Sequence, residues 1–329
     1  MALSGAFVDS HITTWSATLA ASYRPYRGRW PARLFHHAPI ENAVAILRDG
    51  NLRSRNDAQN ARVRDVAGVG VIDARNHAHE FGRLYFRPRT PTQWHIEGIR
   101  KPGECAHGEN AHAPILIMFV LDARSVLLRD GVCFSDRNMQ LASASVGDTE
   151  AYFSSIPFQK VYHEGDIAGD RSIIDHRCAE VLVTSPMSLA QTLQWIYCRT
   201  DAEASTLHHM LGPDANGWRD RVLVSDDLLV FDKRFGYVEK VAIARDGVVV
   251  QFSPRQDYAP IDIQVEVWSS DGVKHVDYRN PASPARPPLP STSWRFPAQL
   301  QDGNYLVKIH LEGHLGFASF MDIGNNIFL

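Results

Sequence analysis

Long apolar runs are missing from this chain. No stretch approaches the ~20 residues needed to span a bilayer. The first residues, among them Asp9, His11 and Thr13, lack the pattern of a secretion signal. Cysteine is scarce. Cys105, Cys133, Cys178 and Cys198 lie far apart and form no Cys-x-x-Cys pair, which argues against a disulfide framework and for a reducing compartment. Charge of either sign is not in excess either: 34 Lys and Arg stand against 37 Asp and Glu, the net charge is −3 and the pI is near 6.6. No global basic field announces nucleic acid, so any grip on a polyanion must be a local patch. Repeats are absent, and the Pro-rich piece Asn280–Pro290 is the only biased segment. These absences lead us to expect a cytoplasmic protein with no membrane attachment.

What is present is core material. Of 329 residues, 44% are hydrophobic and 22% charged, which is the composition of a soluble globular protein with enough length for two domains. Residues Ser10–Ser22 read as a short helix. Arg33–His37 reads as a strand, followed by a helix whose apolar Ile40, Val44 and Leu47 share one face and which ends at Gly50. Residues 51–80 are polar, with Arg53, Arg55, Arg62, Arg64, Gly68, Gly70, His77 and His79, and read as a long functional loop or a broken helix. Ile115–Leu121 is a continuous apolar run, the pattern of a central strand covered on both faces. Val132–Phe134, Cys178–Thr184 and Leu193–Tyr197 are further strands, and Ala202–Leu211 a helix. Beyond Phe231 the runs shorten and alternate: Val238–Ala244, Val248–Phe252, Ile261–Trp268 and Tyr305–Leu311, with hairpin signals at Asp246-Gly247 and Asp271-Gly272. We expect two domains, residues 1–231 and 232–329, the second a small antiparallel β-sandwich.

Two places invite chemistry. In Leu84–Pro91 a short apolar strand runs into a loop where Pro88 and Pro91 break the ladder and present Arg87 and Arg89. A guanidinium held that way suits a bidentate grip on phosphate or carboxylate, although solvated surface arginines would leave the same trace. The second is Glu180, a carboxylate among Ala179, Val181, Leu182 and Val183, residues that favour burial. Either it has a partner or a task, or it faces solvent from the polar side of the pleat.

Four motifs occur in an order that resembles one family. They are Leu34-Phe35-His36 with Asn42 six residues on; His79 followed by Tyr85-Phe86-x-Pro-Arg89-x-Pro91; Phe134-Ser135-Asp136-Arg137-Asn138; and Arg177-Cys178-Ala179-Glu180-Val181-Leu182-Val183. Over about residues 33–231 the chain resembles the DarT-type ADP-ribosyltransferase toxins that act on single-stranded DNA. The resemblance implies an α+β ADP-ribosyltransferase fold with a split, twisted sheet, NAD as co-substrate, and transfer of ADP-ribose to a base. It implies Glu180 and Arg89 as catalytic residues, and His36, Asn42, His79, Tyr85 and Arg89 as NAD-binding ones. It also implies a neutralising partner, an antitoxin or ADP-ribosyl hydrolase. Ala38 stands where the family usually has a threonine after its histidine, and Thr92 where it has an apolar residue, so the modified base stays open, as does an RNA or protein acceptor. The C-terminal β domain lies outside the resemblance.

The segment before Glu180 mixes Phe158, Lys160, Tyr162, His163, Arg171 and Arg177. Aromatics stack single-stranded bases and cations follow phosphates, so this is the expected acceptor site, with a solvated loop as the plain alternative. Cys105, His107 and His112, with Glu104 and Glu109, match no standard zinc spacing, and no metal is expected.

Overall fold

The computed structural model describes residues 2–64, 79–105, 111–139, 141–233, 235–253, 261–280 and 292–324. His107 and Glu109, the loop residues Gly68, Gly70 and His77, and most of the Pro-rich piece lie outside the described residues. The chain divides into two compact units. One holds Met1–His95, Ile117–Tyr197 and Ser225–Asp232; the other holds Ile96–Leu116, Cys198–Val224 and Lys233–Leu329.

The first unit is built on a sheet whose strands are β1 (Arg33–Pro39), β2 (Phe81–Tyr85), β3 (Leu116–Asp122), β4 (Cys133–Ser135), β5 (Val146–Gly147), β6 (Glu180–Thr184) and β7 (Leu193–Tyr197), in the order β7-β3-β1-β2-β6-β4-β5. The apolar run forms β3, with every residue from Leu116 to Leu121 buried. An all-apolar strand fits only where both faces are covered. Helix α1 (Gly5–Ala20) begins at Ser4, whose side chain accepts from the Phe7 amide, so it starts earlier than the periodicity suggested. Helix α2 (Ile40–Asp49) buries Ile40, Val44 and Leu47 and ends on Gly50, which takes φ 69° and returns its N–H to Ile46. A side chain at Gly50 would be strained in that left-handed conformation.

The second unit carries the antiparallel strands β8 (Val238–Ala244), β9 (Gly247–Phe252), β10 (Ile263–Ser269), β11 (Lys274–Asn280), β12 (Thr292–Pro297), β13 (Gly303–Leu311) and β14 (His314–Ile323). They form two sheets, β8-β9-β12 and β11-β10-β13-β14. Val248, Val250, Val265, Val267, Val307 and Ile309, from both sheets, are fully buried in one core. Alternation along the strands puts them on the inner faces, as sandwich packing requires. Helix α3 (Asp201–Leu211) belongs to this unit: Ala202 joins the sandwich core, and Thr206 Oγ1 accepts from the Ala318 amide at 3.1 Å. Among the described residues no helix is long and apolar enough to cross a membrane.

Candidate active site

Strand pairing assembles the site. Tyr85 of β2 lies opposite Glu180 of β6, and Arg83 opposite Leu182. Side chains alternate between faces, so Arg83, Tyr85 and Glu180 share one face, with Arg83 and Glu180 diagonal neighbours. On the other side of β2, Phe35 pairs with Tyr85, which puts His37 on that face too. The His37 ring stacks on Tyr85, centroids 5.2 Å apart and 3° from parallel.

Glu180 is 1% exposed and is gripped by Arg83. Arg83 Nε donates to Oε2 at 2.9 Å, and Nη2 lies 2.7 Å from each carboxylate oxygen. The Glu180 amide donates to Ser135 Oγ at 3.0 Å, which fixes the strand end that carries the carboxylate. Burial pushes the Glu180 carboxyl above its ordinary value, against the pull of Arg83 and a hydrogen bond from Tyr85. The Arg83 guanidinium is held fully charged: Glu180 outweighs the burial that would lower it.

Beside this pair opens a cleft enclosing about 930 Å³, open solvent included, lined by His36, His37, Asn42, Arg53, Arg55, Arg62, His79 and Arg83 among others. A guanidinium suits a pyrophosphate, and of the four around this cleft Arg53 is paired with Asp49 at 2.6 Å and Asp57 at 3.1 Å and Arg83 with Glu180. His36 Nδ1 donates to the Arg83 carbonyl at 2.9 Å. Burial lowers the His36 pKa, and a carbonyl only accepts, so the ring is neutral with its proton on Nδ1 and a lone pair on Nε2. It can therefore accept a hydrogen bond from a ribose hydroxyl. Asn42 is occupied differently. Its Nδ2 donates to the Arg64 carbonyl at 2.6 Å, and its Oδ1 accepts from the Val63 and Arg64 amides at 3.0 and 2.8 Å, so it pins the chain at the cleft rim.

The structure thus brings His36, Asn42 and His79 to the cleft, and Tyr85 to the face that carries Glu180. Arg89 sits elsewhere. It takes φ 51°, and its guanidinium pairs with Glu164 together with those of Arg87 and Arg24 and the Tyr26 hydroxyl. Burial would raise the Glu164 carboxyl, but Arg89, Arg87, Tyr26 and Arg24 outweigh it and hold it below the ordinary value. Arg87, 2% exposed, is pulled down to about 9 by burial and by the neighbouring Arg177 and Arg89, despite Glu164. The guanidinium on Glu180 is that of Arg83, not one of the two loop arginines. The period-two pattern Phe81-x-Arg83-x-Tyr85 is the signal in the sequence, and it shows only when the strand begins at Phe81 rather than Leu84.

The segment before Glu180 is also rearranged. Phe158 and Tyr162, expected to stack bases, are 4% and 1% exposed. Trp15 packs on both rings and His11 on Phe158, so α1 covers the aromatic faces and neither is open to a base. Lys160 is paired with Asp170 at 2.8 Å. Arg177 donates to the His163 carbonyl at 3.0 Å and reaches the His163 ring and the Gly165 carbonyl, bracing that turn. Arg171 remains exposed.

A family model described as "ssDNA thymidine ADP-ribosyltransferase, DarT" matches residues 35–230. Among solved structures, a Thermus sp. 2.9 DarT in complex with ADP-ribosylated ssDNA is similar at 20% identity and TM-score 0.50, over 60% of this chain and 96% of that one. The same protein in complex with NAD+ is similar at 19% identity and TM-score 0.47, over 60% and 97%. A Thermosipho africanus DarTG in complex with ADP-ribose is similar at 17% identity and TM-score 0.42, over 60% of this chain and 51% of that one. Likeness at the level of the first of these speaks for a common fold. No curated protein matches the chain.

Proposed function

Since the chain belongs to the DarT family of single-stranded-DNA thymidine ADP-ribosyltransferases, we propose that it transfers ADP-ribose from NAD to thymine in single-stranded DNA, with Glu180 as the catalytic carboxylate. One observation supports this reading above the others: a fully buried glutamate whose carboxylate is gripped by Arg83, an arginine that itself lines the cleft. In the reaction the bond from C1′ to nicotinamide breaks, and nicotinamide leaves with the bonding pair. The ribose gains oxocarbenium character, which a nearby carboxylate stabilises. The acceptor nitrogen forms the new bond to C1′. Thymine in DNA has a single N–H, on its ring, and Glu180 takes that proton as general base.

In this proposal the cleft holds NAD, with its arginines toward the pyrophosphate and His36 and His79 toward the sugars. Asn42 holds the rim in place, Tyr85 supports the wall through His37, and Arg89 braces the loop through Glu164. A DNA-modifying activity requires control, so we include a neutralising antitoxin or ADP-ribosyl hydrolase among its partners and place its action in the cytoplasm, where DNA and NAD meet. Mass spectrometry of a thymidine-containing oligonucleotide after incubation with NAD tests the reading. The wild-type protein should add one ADP-ribose per modified thymine. Glu180→Gln should lose on the order of 100-fold or more of the rate while remaining folded. A Glu180→Gln protein that works at the wild-type rate would refute the assignment.

A further inference from the structure

The ion pair between Arg83 and Glu180 calls for an account of its own, because the role proposed for Glu180, stabilising a cation and accepting a proton, requires the charged carboxylate. Glu180 has 2% of its side chain exposed, and Arg83 26%, so the carboxylate is sealed beneath the guanidinium at the cleft wall. A sealed carboxylate with no partner takes up a proton and can then neither stabilise a cation nor accept a proton. Among the described residues the groups facing Glu180 are few. Across β2 they are Arg83 and Tyr85, from β4 the Ser135 hydroxyl, and on its own chain Cys178, whose thiol burial keeps protonated at about 11. Arg83 is the sole cation in that set.

The grip is also geometric. Three short contacts to two oxygens fix the carboxylate plane, which a single ammonium contact would leave free to rotate. The strand register alone does not fix that plane, since it places only the Cβ atoms. We infer that Arg83 is a positioning residue for Glu180: its fork keeps the carboxylate charged and fixes its plane just behind the wall of the cleft that we assign to NAD.

This rests on the reading of Glu180 as the catalytic group, and the test separates the two. The kcat for oligonucleotide modification is measured against pH for wild type, Arg83→Gln and Arg83→Lys, and the Glu180 carboxyl is titrated by isotope-edited NMR, assigned by its loss in Glu180→Gln. In Arg83→Gln the carboxyl should titrate about one pH unit or more higher, with the acid limb of kcat moving up by the same amount and kcat at neutral pH falling about tenfold. In Arg83→Lys the charge remains and the fork is lost, so kcat should fall while the acid limb stays near wild type. An Arg83→Gln carboxyl that titrates as in wild type overturns the inference, whatever happens to turnover. A wild-type protein that modifies no oligonucleotide refutes the function, and the NMR titration still decides the role of Arg83. Should Arg83→Gln not fold, Arg83→Lys decides: a wild-type kcat there overturns the need for the fork.

Discussion

At the scale of single residues, three arginines in seven positions have separate tasks. Arg83 points along the strand face to Glu180, while Arg87 and Arg89, past the strand end, turn to Glu164. A guanidinium on a buried carboxylate contributes more than a solvated pair, because its loss leaves the carboxylate short of a donor where water cannot substitute. Arg89→Ala should therefore act on stability first. We expect a loss of about 1.5–3 kcal/mol in urea unfolding, with calorimetric NAD affinity unchanged. Weakened NAD binding at unchanged stability would move Arg89 back to the cleft, where the sequence alone had put it.

Among elements, α1 shows why the acceptor segment reads differently once packed. Phe7, His11 and Trp15 are spaced by four and lie on one helix face. Phe7 and His11 pack on Phe153, and Trp15 on Phe158 and Tyr162. The Ser4 amide donates to Glu150 at 2.8 Å and ties the start of the helix to the same segment. Phe158→Ala should open a cavity beneath α1 and cost about 3–5 kcal/mol, while Phe158→Leu should cost much less. Unfolding midpoints measure this. If instead Phe158→Ala keeps its midpoint and loses affinity for single-stranded oligonucleotides, the ring is a base platform after all.

Considering the whole molecule, half-buried histidines set its response to acid. Burial lowers His11 to about 4, and burial together with His36 and Arg83 lowers His37 to about 3, from an ordinary 6.5. Both are neutral when folded. Below pH 6.5 the unfolded chain binds their protons first, so their stabilisation is complete above that value and declines as pH falls toward 4 and then 3. Each such histidine costs roughly 1 kcal/mol per pH unit across its window. Glu164, held low by its arginines, adds to the loss only below the ordinary carboxylate range. Urea unfolding near neutral pH and again near the lower end of this window should show a loss of several kcal/mol, and Glu180, whose carboxyl is raised, offsets part of it. An equal midpoint at both pH values would show that the rings are solvated.

Much of this was legible from local pattern. The strand-helix unit with His36, the central strand at Leu116–Asp122, the odd glutamate at 180 and the alternating C-terminal strands each follow from hydrophobic period and turn chemistry, which act over a few residues. The sequence by itself determined those elements and the order of the family motifs. Only the tertiary structure decided which arginine meets Glu180, that Asn42 binds the chain at Arg64, and that Phe158 and Tyr162 are core. Each depends on partners brought together over long sequence separations, Arg83 with Glu180 and Trp15 with Tyr162. Strand register and helix docking, which select those partners, are set by the packing of the whole core and leave no mark in the local period.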